Sequence, residues 1–205
     1  MRNHGAQKQK QKQCLMLAAG LSSRMGAWKM LLPWGAATVL DSALENALSF
    51  CDRVVLVTGY QGVRLHQRYA GHVGIALCHN PHYLQGMFSS IRCGAKQLVP
   101  GDFFVVPGDM PLLSGDIYAA LWQHRDHNCC LVPEYAGGRG HPVLLPADMR
   151  EVILQAQADA NLKALVNARG RYAVPVATPA IHWDLDTPEQ YEKRLRASFK
   201  PDHTF

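Results

Sequence analysis

The stretch Cys14-Leu15-Met16-Leu17-Ala18-Ala19-Gly20-Leu21-Ser22-Ser23-Arg24-Met25-Gly26-Ala27-Trp28-Lys29 sets an unbroken apolar run directly against a loop of small residues and two cations. Continuous apolarity over Cys14–Ala19 predicts a strand buried on both faces, since a strand with one wet face would alternate. The runs Arg53–Thr58 and Phe103–Val106 repeat the pattern, each followed by Gly or Pro-Gly and then by a segment with helical spacing. Doubly buried strands alternating with helices imply a three-layer α/β fold with a mostly parallel sheet. In open sheets of this kind ligands gather beyond the carboxyl ends of the strands, so the loops after these runs are where chemistry is to be sought.

The helices have their own signals. Val39, Leu40, Ala43, Leu44, Ala47 and Leu48 share one helical face opposite Ser42, Glu45, Asn46 and Ser49, with Thr38 placed to cap it. A further helix is expected from Ser114, and another from Thr187, where Pro188 suits the first turn and Gln190 completes a capping box. There is no internal repeat or interdomain linker, and Gly137, Gly138 and Gly140 read as one flexible loop. The expected organisation is a disordered basic tail over residues 1–13, a single domain over 14–198 and a short tail over 199–205.

At 205 residues, 48% hydrophobic and 18% charged, the chain reads as globular and not as disordered, collagen-like or coiled-coil. The run Leu15–Leu21 is far too short to cross a bilayer, and Lys8, Lys10 and Lys12 lead into no cleavage-site pattern, so a cytoplasmic protein without membrane contact is expected. Six cysteines without any C-x-x-C read as buried thiols of a reducing compartment. His124, His127, Cys129 and Cys130 are a weak zinc pattern, because adjacent cysteines that begin a strand point apart.

The net charge of +5 is unevenly spread. Residues 1–101 hold eleven Lys/Arg against Asp41, Glu45 and Asp52, whereas residues 102–205 hold ten against thirteen acids. A half so poor in carboxylates suits a polyanion, and the acids of the other half suit a cation, although ordinary surface variation produces such splits as well. The basic tail lacks interleaved aromatics, which makes nucleic acid an unlikely partner.

The loop after Ala19 is neither a Walker A sequence nor a G-x-G-x-x-G fingerprint. It nevertheless has the parts of a phosphate cradle. Ala18, Ala19 and Gly20 let backbone N–H groups approach an anion, and Arg24 and Lys29 add cations with no carboxylate between residues 1 and 40. A surface loop with solvated bases fits the spacing equally well. Asp109, just past an apolar run, suits Mg²⁺ at a strand end or a simple turn. If residues 181–186 are extended, His182, Asp184 and Asp186 share a face, and Asp186 either joins a metal site or precedes the helix cap at Thr187. The segment Asn80–Ser90 either receives part of a ligand at a helix start or is a capped turn.

The opening A-A-G-L-S-S-R-M-G-x-x-K-x-L-L-P-W resembles the molybdenum-cofactor nucleotidyltransferases, in particular the cytidylyltransferase-like branch that includes molybdenum hydroxylase accessory proteins. The likeness runs from Leu15 to about Tyr191. It continues through Thr58-Gly59-Tyr60, Asn80 to Gly86-Met87-Phe88-Ser89-Ser90, Pro107-Gly108-Asp109-Met110-Pro111, Gly140-His141-Pro142 and Asp184-Leu185-Asp186-Thr187-Pro188.

The resemblance implies a Rossmann-like nucleotidyltransferase fold that couples CMP from CTP to a molybdopterin cofactor phosphate, with Mg²⁺ and release of pyrophosphate. It places Arg24 on the outgoing phosphates, Lys29 near the α-phosphate, and Asp109 and Asp186 on the metal, with Asp184 a weaker candidate. Ala18, Ala19, Gly20, Thr58, Asn80, Ser89, Ser90 and His141 are the implied binding residues, His141 on the acceptor side. Ala19, where the guanylyl branch has Gly, points to CTP over GTP. Two other functions compete: a non-catalytic factor that delivers the cofactor to a molybdenum hydroxylase apoenzyme, and a nucleotidyltransferase acting on a sugar or polyol phosphate.

Overall fold

The three apolar runs form three adjacent strands at the heart of one sheet. A computed structural model describes residues 11–199. In chain order the first half holds β1 (Gln13–Ala18), β2 (Pro33–Trp34), β3 (Ala37–Thr38), α1 (Val39–Leu48), β4 (Arg53–Thr58), α2 (Gly62–Tyr69), β5 (Ile75–His79) and α3 (Met87–Ala95). The second half holds β6 (Phe103–Pro107), α4 (Gly115–Gln123), β7 (Cys130–Tyr135), β8 (Gly138–Arg139), β9 (Val143–Leu145), α5 (Met149–Gln155), α6 (Leu162–Arg169), β10 (Arg171–Pro175) and α7 (Pro188–Ser198).

The main sheet runs β10-β7-β9-β6-β1-β4-β5, with β8 paired to β7. β1 pairs in parallel with β4 and β6, β4 with β5, and β7 with β10, while the short β9 is antiparallel to both its neighbours. The pleat divides the core. Cys14, Met16, Val54, Leu56, Phe104 and Val106 face α1 and α4, and Leu15, Leu17, Val55, Val57, Phe103 and Val105 face α3, α5 and α6. Two apolar layers on one sheet are what the continuous runs require.

Both expected caps form: Thr187 closes its capping box with Gln190 on α7, and Thr38 caps α1 in a further capping box with Asp41. Four expectations change. Gln13, assigned to the tail, begins β1: it is fully buried, and its side-chain amide both donates to and accepts from the Val99 backbone. Phe199, assigned to the C-terminal tail, packs edge-on against Trp34 at 5.9 Å. The remaining tail expectations, residues 1–10 and 200–205, lie outside the described residues.

The glycine loop is a tight hairpin, because Ala136 and Gly137 both take positive φ (49° and 78°) and join β7 to β8. Residues 181–186 are not extended as a strand. A 3-10 turn covers Pro179–His182, and the segment is held instead by His141 N–H to the Ile181 carbonyl (3.0 Å) and Leu185 N–H to the Asp109 carbonyl (3.2 Å). Ile181 and Leu185 are still buried and His182 and Asp184 exposed, so the expected sidedness survives. The His124–Cys130 pattern holds no metal cluster among the described residues; His124 and His127 stack with Tyr172 instead. No described helix is long and apolar enough to cross a membrane.

Candidate active site

The loop after β1 is irregular but anchored. Met25, Trp28 and Met30 plug it into the core, and Ser22 (φ 56°) and Gly26 (φ 64°) turn the chain with positive φ. Ser22 Oγ accepts the Lys29 N–H at 3.2 Å, closing the loop on itself. From this frame Arg24 projects outward, 70% exposed, and Lys29 inward, 12% exposed. A Cβ added at Gly20 would meet nothing within 4 Å, so open space lies over the loop backbone.

Across the cleft, Asp109 follows β6 and is only 5% exposed. The bond between Leu185 N–H and its carbonyl brings the segment bearing Asp184 and Asp186 alongside. Lys29 Nζ bridges the two acids, pairing with Asp109 Oδ2 and lying 3.0 Å from Asp186 Oδ1, while Arg24 Nη2 is 2.5 Å from Asp186 Oδ2. Burial alone would lower the Lys29 pKa and raise that of Asp186, but Asp109 and then Asp186 hold the ammonium above its ordinary value, and Lys29 with Arg24 holds the Asp186 carboxyl below its own. Asp184 is pushed up by burial and by the charges of Asp186 and Asp109. Asp109 Oδ1 is buried and has no protein partner. Such an oxygen is costly unless a ligand uses it.

Two cavities open here. One, of about 610 Å³, is walled by the β1 loop, Lys29, Asp109, Tyr83 and Ser90. The other, of about 860 Å³, lies over the sheet between α3 and α6, reaching His141, Asp184 and the β8 hairpin. Met87 and Pro107 border both.

The structure thus gathers Ala19, Gly20, Arg24, Lys29, Ser90, Asp109 and Asp186 at the first cavity and puts His141 in the second. Burial pushes the His141 imidazole down from its ordinary value against the pull of Asp184 and a hydrogen bond with the Val105 backbone, and its Nδ1 is without a partner. Ala18, Thr58, Asn80 and Ser89 reach neither cavity. Ala18 is the buried last residue of β1. The Thr58 hydroxyl sits 3.0 Å from His66 Nε2 and 3.3 Å from His79 Nδ1. Asn80 Nδ2 donates to the Ser89 and Ser90 hydroxyls at 2.9 and 3.0 Å, and its Oδ1 accepts from His82 N–H. These groups tie β4, β5 and α3 together behind the site. Tyr83, Met87 and Arg139 lie inside segments the sequence already marked, but Lys163 and Arg171 carried no signal, being isolated bases on different elements.

A small-residue loop, two cations and two carboxylates at the carboxyl end of a parallel sheet define a nucleotide-binding α/β protein suited to transfer at a polyphosphate. Residues 14–173 match the MobA-like NTP transferase domain, and the chain belongs to that family. It is a nucleotidyltransferase. It is 39% identical over 178 residues, 87% of this chain and 92% of the relative, to a molybdenum cofactor cytidylyltransferase of Escherichia coli (strain K12). It is 28% identical over 187 residues, 88% of this chain and 93% of the relative, to a molybdenum cofactor guanylyltransferase of Xanthomonas euvesicatoria. A nucleotidyl transferase from Methanothermobacter shares the fold at a TM-score of 0.77 with 20% identity, over 92% of this chain and 99% of its own.

Proposed function

We propose that the protein transfers CMP from CTP to the phosphate of a molybdopterin-type cofactor, releasing pyrophosphate. The observation that carries this reading is Lys29 set between Asp109 and Asp186 beneath the Gly20–Arg24 loop, in a chain 39% identical to a cytidylyltransferase along nearly its whole length. The acceptor phosphate is already ionised at neutral pH, so the chain need supply no general base, and alignment with charge neutralisation is the main task. Arg24 would leave Asp186 for the departing β- and γ-phosphates, and Lys29 would face charge developing at the α-phosphate. Backbone N–H groups at Ala19 and Gly20 would carry the remaining oxygens.

Asp109 and Asp186 fit Mg²⁺, which takes one or two carboxylates and leaves its other positions to phosphate and water. The unpartnered Asp109 Oδ1 supports that fit. When bound, the ion would neutralise triphosphate charge. The second cavity would take the acceptor. Its apolar floor of Phe88, Ile91, Val132, Val143 and Val166 suits a flat heteroaromatic body.

The test is pyrophosphate release from CTP and Mg²⁺ with and without molybdopterin. Release only with the pterin, and near-complete loss in Asp109→Ala, are expected. Tight pterin binding without turnover would instead favour a delivery factor for a molybdenum hydroxylase apoenzyme, and unchanged turnover in Asp109→Ala would remove that residue from the reaction.

A further inference from the structure

Helix α3 walls both cavities, with Ser90 on the first, Phe88 and Ile91 on the second and Met87 on both. On the side of the edge strand β5 it is tied down by polar groups. Asn80 Nδ2 donates to the Ser89 and Ser90 hydroxyls, and one turn further along the helix the Cys93 thiol lies 3.5 Å from the His79 carbonyl and 3.4 Å from Cys78 Sγ of β5. The two sulfurs are in contact. Cys78 is buried and Cys93 partly exposed, whereas Cys14, Cys51 and Cys130 are all buried and Cys129 is the chain neighbour of Cys130. Burial and then the Cys93 thiol push Cys78 up to about 12 against the pull of Lys96, so it keeps its proton at neutral pH.

A partly exposed thiol, a buried thiol touching it and a lysine close by are the parts of an oxidisable pair, in which the first meets the oxidant and the second resolves it. We infer that Cys78 and Cys93 form a reversible oxidation site, at which hydrogen peroxide drives closure of a disulfide that draws α3 against β5 and slows turnover. The Cys93 thiolate attacks one peroxide oxygen, the O–O bond breaks, and the other oxygen leaves as hydroxide and takes up a proton, giving a sulfenic acid and water. The Cys78 sulfur then attacks the Cys93 sulfur. The S–S bond forms, the S–O bond breaks, and the hydroxyl departs with the Cys78 proton as a second water. Two thiols lose two electrons in all, and one peroxide is reduced to two waters. A disulfide holds its sulfurs about 2 Å apart, so closure carries α3 towards β5. Ser90 and Met87, within two turns of Cys93, then shift relative to Lys29 and Asp109 across the first cavity.

The test treats the full chain with hydrogen peroxide, then alkylates and digests it without reductant for mass spectrometry. Two of the six thiols should be lost, and the Cys78 and Cys93 peptides should appear as one linked species. Pyrophosphate release should fall about tenfold, inside the loss on the order of 10² that a ~1 Å misplacement can cause, and dithiothreitol should restore both thiols and rate. Cys93→Ser should keep the basal rate and lose the response to peroxide. Cys78→Ala, left with nothing to resolve the oxidised Cys93, should hold a sulfenic acid there that dimedone traps. Survival of all six thiols, or oxidation of Cys93 with Cys78 still free in the unaltered chain, would overturn the oxidation site. A linked pair with an unchanged rate would overturn its coupling to the cleft through α3. A linked pair in a protein whose reduced form fails to use CTP and pterin would leave the oxidation site standing and count against the proposed function alone.

Discussion

Lys29 is where the charges of the site converge, since it touches one carboxylate from the turn after β6 and another from the segment before α7. Removing a preorganised donor aimed at developing charge costs on the order of 10²–10³ in kcat, and Lys29→Ala should do so in a single-turnover assay. Ala19 tests base choice. Ala19→Gly removes one methyl from the wall, and a methyl-sized difference discriminates by about 1–3 kcal/mol, so the ratio of kcat/KM for CTP over GTP should fall at least tenfold. Asp41 tests stability. Burial pushes its carboxyl up, but Arg68, the Tyr69 hydroxyl and both polar groups of Thr38 outweigh this and hold it well below the usual carboxylate range. A depressed folded-state pKa stabilises above the unfolded value near 4 and loses that contribution as pH falls towards the folded one. Asp41→Asn should therefore cost about 1–2 kcal/mol at pH 7 and progressively less below about pH 4 in denaturant titrations. Arg24, Lys29 and Asp109 were legible because each follows an apolar run whose end fixes its place. Thr58 and Asn80 were legible only as polar residues near a strand end, since the partners that occupy them come from α2 and α3.

Among the elements, the segment over residues 179–186 decides whether the acids meet. A Cβ at Gly140 would lie 2.0 Å from the Ile181 carbonyl oxygen, a backbone atom that can yield only by moving the segment. Gly140→Ala should lower stability by about 1–3 kcal/mol and also reduce kcat, because Asp186 shifts with the segment it rides on. Thermal unfolding and turnover of the same preparation would check it; full activity with lowered Tm would detach the segment from catalysis. Helices α1 and α7 were readable to their caps because capping is local. The antiparallel β9 was not, since a short apolar strand looks the same in either direction, and residues 181–186 kept the alternation of a strand without a neighbour to pair with.

At the scale of the whole molecule, the proposed ligand set predicts a selective thermal shift. CTP with Mg²⁺ at about 100 times its dissociation constant should stabilise the fold by roughly 2.7 kcal/mol, with GTP giving less at equal concentration. The three-layer architecture was readable from continuous apolarity, whereas the 860 Å³ cavity was not, because its walls are assembled from α3, β7, β9 and α6, far apart in sequence. Lys29, clasped by two acids, has a further consequence. The enzyme carries its own internal counterion; with Mg²⁺ in its proposed place, chelator should strip catalysis while leaving the melting curve almost untouched. In Lys29→Met that resident charge is gone, and the melting temperature should become dependent on added divalent salt.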